Sequence, residues 1–294
     1  MRLLPVVLAQ SPARDPKTAT GELRSEVATL HAEFPQAKAF IYPEYHTCRV
    51  SSLPNERRAA YEQVAEPLDG PRVTALCAAA AESGIWLVAG TVIEKGPRGE
   101  LFNTAVVCSP AGELASYYRK AFPWRPFEPF TPGTGFTVFD IPDIGRAGLA
   151  ICYDLWFPEV ARQLAWMGAE VIVYPTQTST SDRDQELVLA QAAAIANQVF
   201  VVSVNAAMPD GVGRSIIADP EGIVRVAAPS EAPAVVTDVL DLDAVTRVRT
   251  LGTRGLNRMW SQLRAGDPPL RLPVYGGAID PATWHPQRRG ESDE

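Results

Sequence analysis

The stretch Leu149-Ala150-Ile151-Cys152-Tyr153-Asp154-Leu155-Trp156-Phe157-Pro158-Glu159 changes character in its middle. Small apolar residues run up to Cys152, a polar and aromatic bend follows, and Pro158-Glu159 opens a helix. A strand that delivers a cysteine to the turn before a helix presents that side chain at a sheet end, where open α/β sheets place ligands and chemistry. From these residues alone Cys152 is either a nucleophile or a small buried hydrophobe, since free cysteine is among the most buried residue types.

Downstream, Pro158 to Met167 reads as a helix with Pro at its first position and Gly168 after its end. Glu170 to Tyr174 is a strand, and Asp184 to Gln198 an Ala-rich helix with Asp182 to Gln185 as a capping box. Val199 to Asn205, Gly213 to Ala218, Ile223 to Ala227 and Ala234 to Leu240 read as strands, with Asp219-Pro220-Glu221-Gly222 a hairpin turn. Upstream, Phe136 to Ile141 and Arg146 to Ile151 are strands. Pro123, Pro126, Pro129 and Pro132 make Ala121 to Gly135 an irregular loop.

Strands over Ile85 to Ile93, Leu101 to Ser109 and Glu113 to Arg119 precede that loop. Before them lies a helix over Pro71 to Ser83, whose stripe Val73, Leu76, Cys77, Ala80 puts Cys77 in the core. The chain opens with a strand over Met1 to Gln10 and a helix over Ala19 to Phe34. The short strand Ala39 to Tyr42 follows, closed by Pro43, and polar sequence to about Glu66 reads as loop. Strand–helix sequence at both ends with hairpins between predicts an α/β fold with helices covering a mixed sheet system. Residues 1–250 show no internal linker and read as one domain. Residues 251–294, rich in Gly, Pro and Arg, read as an extension packed on the domain or on a partner subunit, with Arg288 to Glu294 frayed.

At 294 residues with 46% apolar and 21% charged content, the composition is that of a globular protein. The net charge of −7 argues against nucleic acid as a partner, which needs concentrated Lys and Arg. Cys48, Cys77, Cys108 and Cys152 lie far apart with no Cys-x-x-Cys, which fits a reducing cytoplasm better than a disulfide scaffold. The three histidines, His31, His46 and His285, are isolated and supply neither a metal site nor a Cys–His dyad. No cofactor is called for. The uncharged run Leu187 to Pro209 is long enough for a membrane span. It carries Gln191, Asn197, Gln198, Ser203 and Asn205, however, and reads as a buried helix feeding a buried strand. Arg2 followed by Leu3 to Ala9 is too short and too interrupted by Pro5 for a signal peptide, and reads as the first strand.

Three residues share one topological situation. Glu44, Lys120 and Cys152 each stand at a strand end. A cysteine nucleophile needs a group to take its proton, and Glu44 can do so in the absence of a suitable histidine. The oxyanion formed at an attacked carbonyl needs a fixed charge or N–H donors, which Lys120 and the backbone N–H of Tyr153 can supply. The positive end of helix 158–167 favours thiolate at Cys152. Taken singly, each residue has an ordinary reading as core filler or solvated charge.

Pro43-Glu44-Tyr45, Tyr118-Arg119-Lys120 and Cys152-Tyr153-Asp154 with Phe157-Pro158-Glu159 resemble, in this order, the glutamate, lysine and cysteine motifs of the nitrilase (carbon–nitrogen hydrolase) superfamily. Gly168-Ala169-Glu170 to Pro175, Ala196-Asn197 and Asp219-Pro220-Glu221-Gly222 resemble secondary landmarks of the same family, and the likeness covers roughly residues 1 to 245. The resemblance implies a four-layer α-β-β-α sandwich and self-association as a homodimer or higher homo-oligomer. It implies Glu44 as general base, Lys120 as oxyanion stabiliser and Cys152 as the nucleophile that forms a thioester. Glu128 matches a second glutamate that orients the substrate amide in amidase branches.

Tyr153-Asp154 after the cysteine, where nitrilases proper show Trp-Glu, points to amides over nitriles. The segment Tyr118 to Gly133 is similar to the matching loop of aliphatic amidases and formamidases. The expected activity is hydrolysis of a small linear carboxamide to an acid and ammonia. The alternatives are ureido (N-carbamoyl) substrates, suggested by the likeness of Asp154 to Glu159 to carbamoylputrescine-type amidases, and acyl transfer from the same thioester. Nitrile hydrolysis and a non-catalytic binding role rank below these. Tyr45, Trp124, Tyr153 and Trp156, with Phe127 and Tyr174, are the candidates for lining the substrate site. Arg49, Arg125 and Arg183 are candidates for a carboxylate pocket.

Overall fold

The computed structural model describes residues 1–50, 56–270 and Gly277. In chain order the elements are β1 (Leu3–Gln10), α1 (Ala19–Glu33), β2 (Ala39–Ile41), α2 (Arg57–Val64), α3 (Pro71–Ser83), β3 (Trp86–Lys95), β4 (Leu101–Cys108) and β5 (Leu114–Arg119). They continue with β6 (Thr137–Ile141), β7 (Gly145–Leu149), α4 (Pro158–Trp166), β8 (Val171–Thr176), α5 (Arg183–Asn197) and β9 (Phe200–Asn205). The last are β10 (Ile216–Ala218), β11 (Val224–Ala227), β12 (Ala234–Asp241) and α6 (Asp243–Leu251).

Two six-stranded sheets result, one in the order β12-β1-β2-β3-β4-β5 and the other β11-β10-β9-β8-β7-β6. The centre of each sheet is parallel, β1-β2-β3 and β7-β8-β9, and the flanking pairs are antiparallel. Parallel neighbours need crossover connections, and α1, α3, α4 and α5 lie in those crossovers.

Alternation along the strands fixes the layers. Leu4, Val6 and Leu8 of β1 join Leu149, Val171, Val173, Val202 and Val204 of the other sheet in one cluster between the sheets. Val7 and Ala9 point the other way, into a cluster with Leu23, Val27 and Leu30 of α1 and Val73, Leu76 and Cys77 of α3. Helices α4 and α5 contact β7 and β9 on the second sheet. Each fully buried Leu or Val contributes about 1.5–3 kcal/mol, so the face-to-face register of the sheets is strongly held. The architecture is the expected α-β-β-α sandwich. Among the described residues no helix is long and apolar enough to cross a membrane.

Two local expectations fail for physical reasons, and one helix lies where none was expected. The span read as loop before Glu66 contains α2, whose only buried residue is Tyr61, so no apolar stripe announces it. Helix α6, over residues for which the sequence suggests no element, buries only Val245 and Val248. Asp182 does precede α5, yet its side chain makes no cap bond to the helix and is taken by the Thr180 hydroxyl. The helix over Pro158 starts with Pro and ends before Gly168 at φ +94°, as its sequence predicts.

Met1–Arg258 forms one compact unit and Met259–Glu294 another. The second contains a 3-10 turn at Met259–Ser261 and a turn in which the Asp267 N–H donates to the Arg264 carbonyl at 3.0 Å. The frayed end expected at Arg288 to Glu294, and His285, lie outside the described residues.

Candidate active site

Glu44 follows β2 after Tyr42-Pro43 and is 1% exposed. Its turn reaches the sheet because β3 has Gly90 beneath it, at φ +72°. A Cβ there would stand 1.8 Å from the Pro43 carbonyl oxygen. Any other residue would therefore push the Glu44 turn away. Lys120 follows β5 and is equally buried. Its N–H donates to the Asn103 carbonyl at 2.9 Å, and its own carbonyl accepts from Gly133 N–H at 2.8 Å, tying the Pro-rich loop back to the strand.

Lys120 Nζ donates to Glu44 Oε1 at 3.0 Å and to Glu128 Oε2 at 2.8 Å. Further donors hold both carboxylates. Asn103 Nδ2 donates to Glu44 Oε1 at 2.7 Å and the Gln177 N–H to Glu44 Oε2 at 3.0 Å. The Trp124 N–H donates to Glu128 Oε2 at 2.6 Å, and the Tyr45 hydroxyl donates to Glu128 Oε1. One ammonium thus lies between two buried carboxylates, each held by further donors.

The electrostatics separates the two acids. Burial raises the Glu44 carboxyl above its ordinary value, and the proximity of Lys120 only partly offsets this. Burial acts on Glu128 in the same sense, but Lys120 and the Tyr45 and Trp124 donors outweigh it and the carboxyl ends below its ordinary value. Burial opposes the Lys120 ammonium, yet Glu128 and Glu44 together hold its pKa well above that of a free lysine. A pair of carboxylates pushed apart in this way divides into a group that exchanges protons and a group that stays ionised. Here the raised carboxyl is that of Glu44 and the lowered one that of Glu128.

Cys152 comes three residues after β7 and opens a 3-10 turn at Cys152–Trp156, with φ +44°. Left-handed backbone at a residue with a Cβ is costly and persists where the surroundings impose it. The imposing group is Asp154, fully buried below the turn. Its carboxylate accepts from the Ile151 N–H at 2.9 Å, the Phe122 N–H at 3.0 Å and the Tyr118 hydroxyl at 3.0 Å. Burial pushes this carboxyl up to about 7, while the Lys120 charge and the N–H donors pull it down. Asp154→Asn would turn an NH2 group toward one of those donors. It should cost about 1–3 kcal/mol in urea unfolding.

A cavity of about 210 Å³ joins these parts. Glu44, Lys120, Glu128 and Cys152 all line it, with Tyr45, Tyr61, Trp124 and Tyr153 as its aromatic wall. Trp156 does not line it: the 3-10 turn carries that ring behind Tyr153, with the two ring centroids 6.3 Å apart. Phe127 packs tilted against Trp124 with ring centroids 4.4 Å apart, and Tyr174 is enclosed in β8; neither lines the cavity. Of the arginine candidates, Arg49 pairs with Asp210, Arg183 is buried against Glu186, and Arg125 is outside the cavity. Asn103, Tyr61, Thr178 and Glu186 belong to the site without having been singled out in the sequence. Asn103 and Glu186 had a signal, a polar residue inside a buried apolar pattern.

The carbon-nitrogen hydrolase family model matches residues 20–250. The chain belongs to the carbon–nitrogen hydrolase family. The chain is 33% identical to a formamidase of Bacillus cereus over 196 residues, which is 65% of this chain and 58% of the relative. The matched region therefore spans less than two thirds of that protein. Among solved structures, Saccharomyces cerevisiae Nit3, a member of branch 10 of the nitrilase superfamily, superposes with a TM-score of 0.75. The identity is 27%, covering 85% of this chain and 94% of that one. A cysteine-to-serine mutant of a Nesterenkonia amidase of the nitrilase superfamily superposes with a TM-score of 0.70 at 25% identity, covering 84% of this chain and 95% of the amidase.

Proposed function

We propose that the protein is an amidase that hydrolyses a small linear carboxamide to the acid and ammonia through a thioester on Cys152. The observation that carries this reading is the buried Glu44–Lys120–Glu128 ion cluster sharing one small cavity with Cys152. Such a cluster is costly to bury and is kept where a reaction needs preorganised charge. Similarity to proteins named formamidase and amidase supports the substrate class. The volume of the cavity supports a short acyl group.

The steps follow from the charges. Glu44 accepts the Cys152 proton as the sulfur adds to the amide carbon. The oxyanion is stabilised by the Lys120 ammonium and the Tyr153 N–H. Glu128, already ionised, accepts from the substrate NH2 and aims the carbonyl at the sulfur. Glu44 returns its proton to the nitrogen, the C–N bond breaks, and ammonia leaves a thioester. Glu44 then takes a proton from water as the water attacks that thioester, and passes it to the departing sulfur as the acid is released.

The test is ammonia release across formamide, short aliphatic amides, aromatic amides, carbamoyl compounds and nitriles, with mass spectrometry of the Cys152 peptide under substrate. The expected result is turnover of a short amide and an acyl adduct on Cys152. Absence of ammonia and of adduct with every compound would overturn the reading. Preference for carbamoyl compounds would move the substrate to the ureido class.

The Glu44 shift gives a pH prediction. The base must be ionised, so kcat/KM falls as the pH drops through the Glu44 pKa. That pKa is raised by burial, so the acid limb should lie above 4.5, the ordinary value for glutamate. A limb at or below that value would mean a different base.

A further inference from the structure

Cys152 also touches a polar system that the steps above leave unused. Its Sγ lies 3.7 Å from Thr178 Oγ1. Thr178 follows β8 and is clamped by Asn205: the Thr178 N–H donates to Asn205 Oδ1 at 2.8 Å, and Asn205 Nδ2 donates to the Thr178 carbonyl at 3.1 Å. The hydroxyl then faces both carboxylate oxygens of Glu186, at 2.9 and 2.8 Å.

A hydroxyl has one hydrogen, and a carboxylate can only accept. The Thr178 hydrogen is therefore committed to Glu186, and Thr178 meets the sulfur with lone pairs alone. In that state it accepts from a thiol and repels a thiolate. Glu186 is fixed in this role because it is 2% exposed and Arg183 Nη1 donates to it at 3.0 Å. Arg183 is itself held by Ser203 Oγ at 3.1 Å and the Arg214 carbonyl at 2.9 Å.

We propose that Thr178, with Glu186 as the positioning residue behind it, holds Cys152 as a neutral thiol in the resting protein and releases it only when substrate enters. This rests on Cys152 being the nucleophile of the proposed amidase. When the amide carbonyl arrives, the S–H turns from Thr178 to Glu44, which takes the proton as sulfur adds to carbon. The thiolate never has to exist beforehand, so the resting sulfur is protected from oxidants and alkylating agents. The charges facing Cys152 agree with this. Burial, Glu44 and Glu186 disfavour thiolate, Lys120 favours it, and the thiol is left well above its ordinary value. Arg183 adds a further favourable charge from α5 but is spent on Glu186.

The test is the rate of iodoacetamide alkylation against pH, followed on the Cys152 peptide by mass spectrometry so that Cys48, Cys77 and Cys108 do not contribute. Glu186→Gln removes the charge and frees the Thr178 hydrogen to point at sulfur. The expected result is a midpoint lower by about one pH unit, hence about tenfold faster alkylation at neutral pH. Thr178→Val should shift the midpoint the same way by less, and Thr178→Ser should restore the parent profile. Profiles of the Gln and Val variants that superimpose on the parent, or shift upward, would overturn the proposal. If circular dichroism shows that the Gln variant does not fold, the Val and Ser pair decides the matter. Ammonia release is measured on the same preparations. Normal thiol shifts with no turnover of any amide would remove the amidase reading and leave the thiol relay standing.

Discussion

Cys152→Ala should abolish amide turnover, by on the order of 10⁴-fold or more in kcat, while the folded protein remains intact. The two halves of this expectation have separate grounds. Without the sulfur no thioester forms, and Lys120 and Glu128 alone can only bind and polarise the carbonyl. The fold is spared because the turn is held from below by Asp154 and its three donors, none of which involves the Cys152 side chain. Alanine keeps the Cβ, so the backbone at φ +44° meets the same cost as before. The check is ammonia release alongside urea unfolding. Turnover surviving in a preparation shown by mass to be free of wild-type protein would remove the mechanism.

Lys120→Met should be the most destabilising change in the site, at about 3–5 kcal/mol near pH 8. Methionine fills similar space, so the loss is electrostatic: Glu44 and Glu128 would face each other, buried, with no cation between them. One of them would then bind a proton, so its pKa in the folded protein lies above its unfolded value. Stability from such a group is fully present below the unfolded pKa and is lost as the pH rises through the folded one. The variant should therefore approach the parent at pH 5 and fall away at pH 8. Lys120→Met combined with Glu128→Gln should recover part of the loss, because the residues share one network. Urea midpoints of the four proteins at both pH values decide this. A single variant as stable as the parent at pH 8 would mean that the cluster is not ionised as described.

Much of this arrangement can be read from the chain before any coordinates. The strands before Glu44, Lys120 and Cys152 are short apolar runs with a sharp polar ending, and a sheet end is a place that local sequence can specify. The resemblance to three family motifs in order supplies the sandwich, which periodicity alone would leave as a mixed α/β fold. What stays hidden depends on long-range placement. Asn103 stands beside Thr104 in the otherwise apolar run Leu101 to Cys108, and nothing local says that it faces Glu44 rather than a neighbouring strand. Glu186 shares a buried helix face with Ala190 and Ala194, a spacing of four that marks it as a carboxylate in a core position. Its partners, Thr178 eight residues earlier and Cys152 in the turn that follows β7, become visible only when the sheets close. Trp156 errs the other way: Cys152 and Tyr153 of the same turn line the cavity, but the tight 3-10 turn carries the Trp156 ring out of it. Helices α2 and α6 carry too few apolar residues for a stripe to register.

Glu44 and Lys120 hang from the sheet that contains β2 and β5, whereas Cys152 and Thr178 hang from the sheet that contains β7 and β8. The reacting groups are therefore aligned only as well as one slab of the protein is seated on the other. A displacement of about 1 Å between groups that must meet can cost about a hundredfold in rate. Warming should loosen the greasy seam between the slabs before either one loses its hydrogen-bonded ladder. Catalysis should consequently fade at temperatures where circular dichroism still reports full secondary structure, and return on cooling.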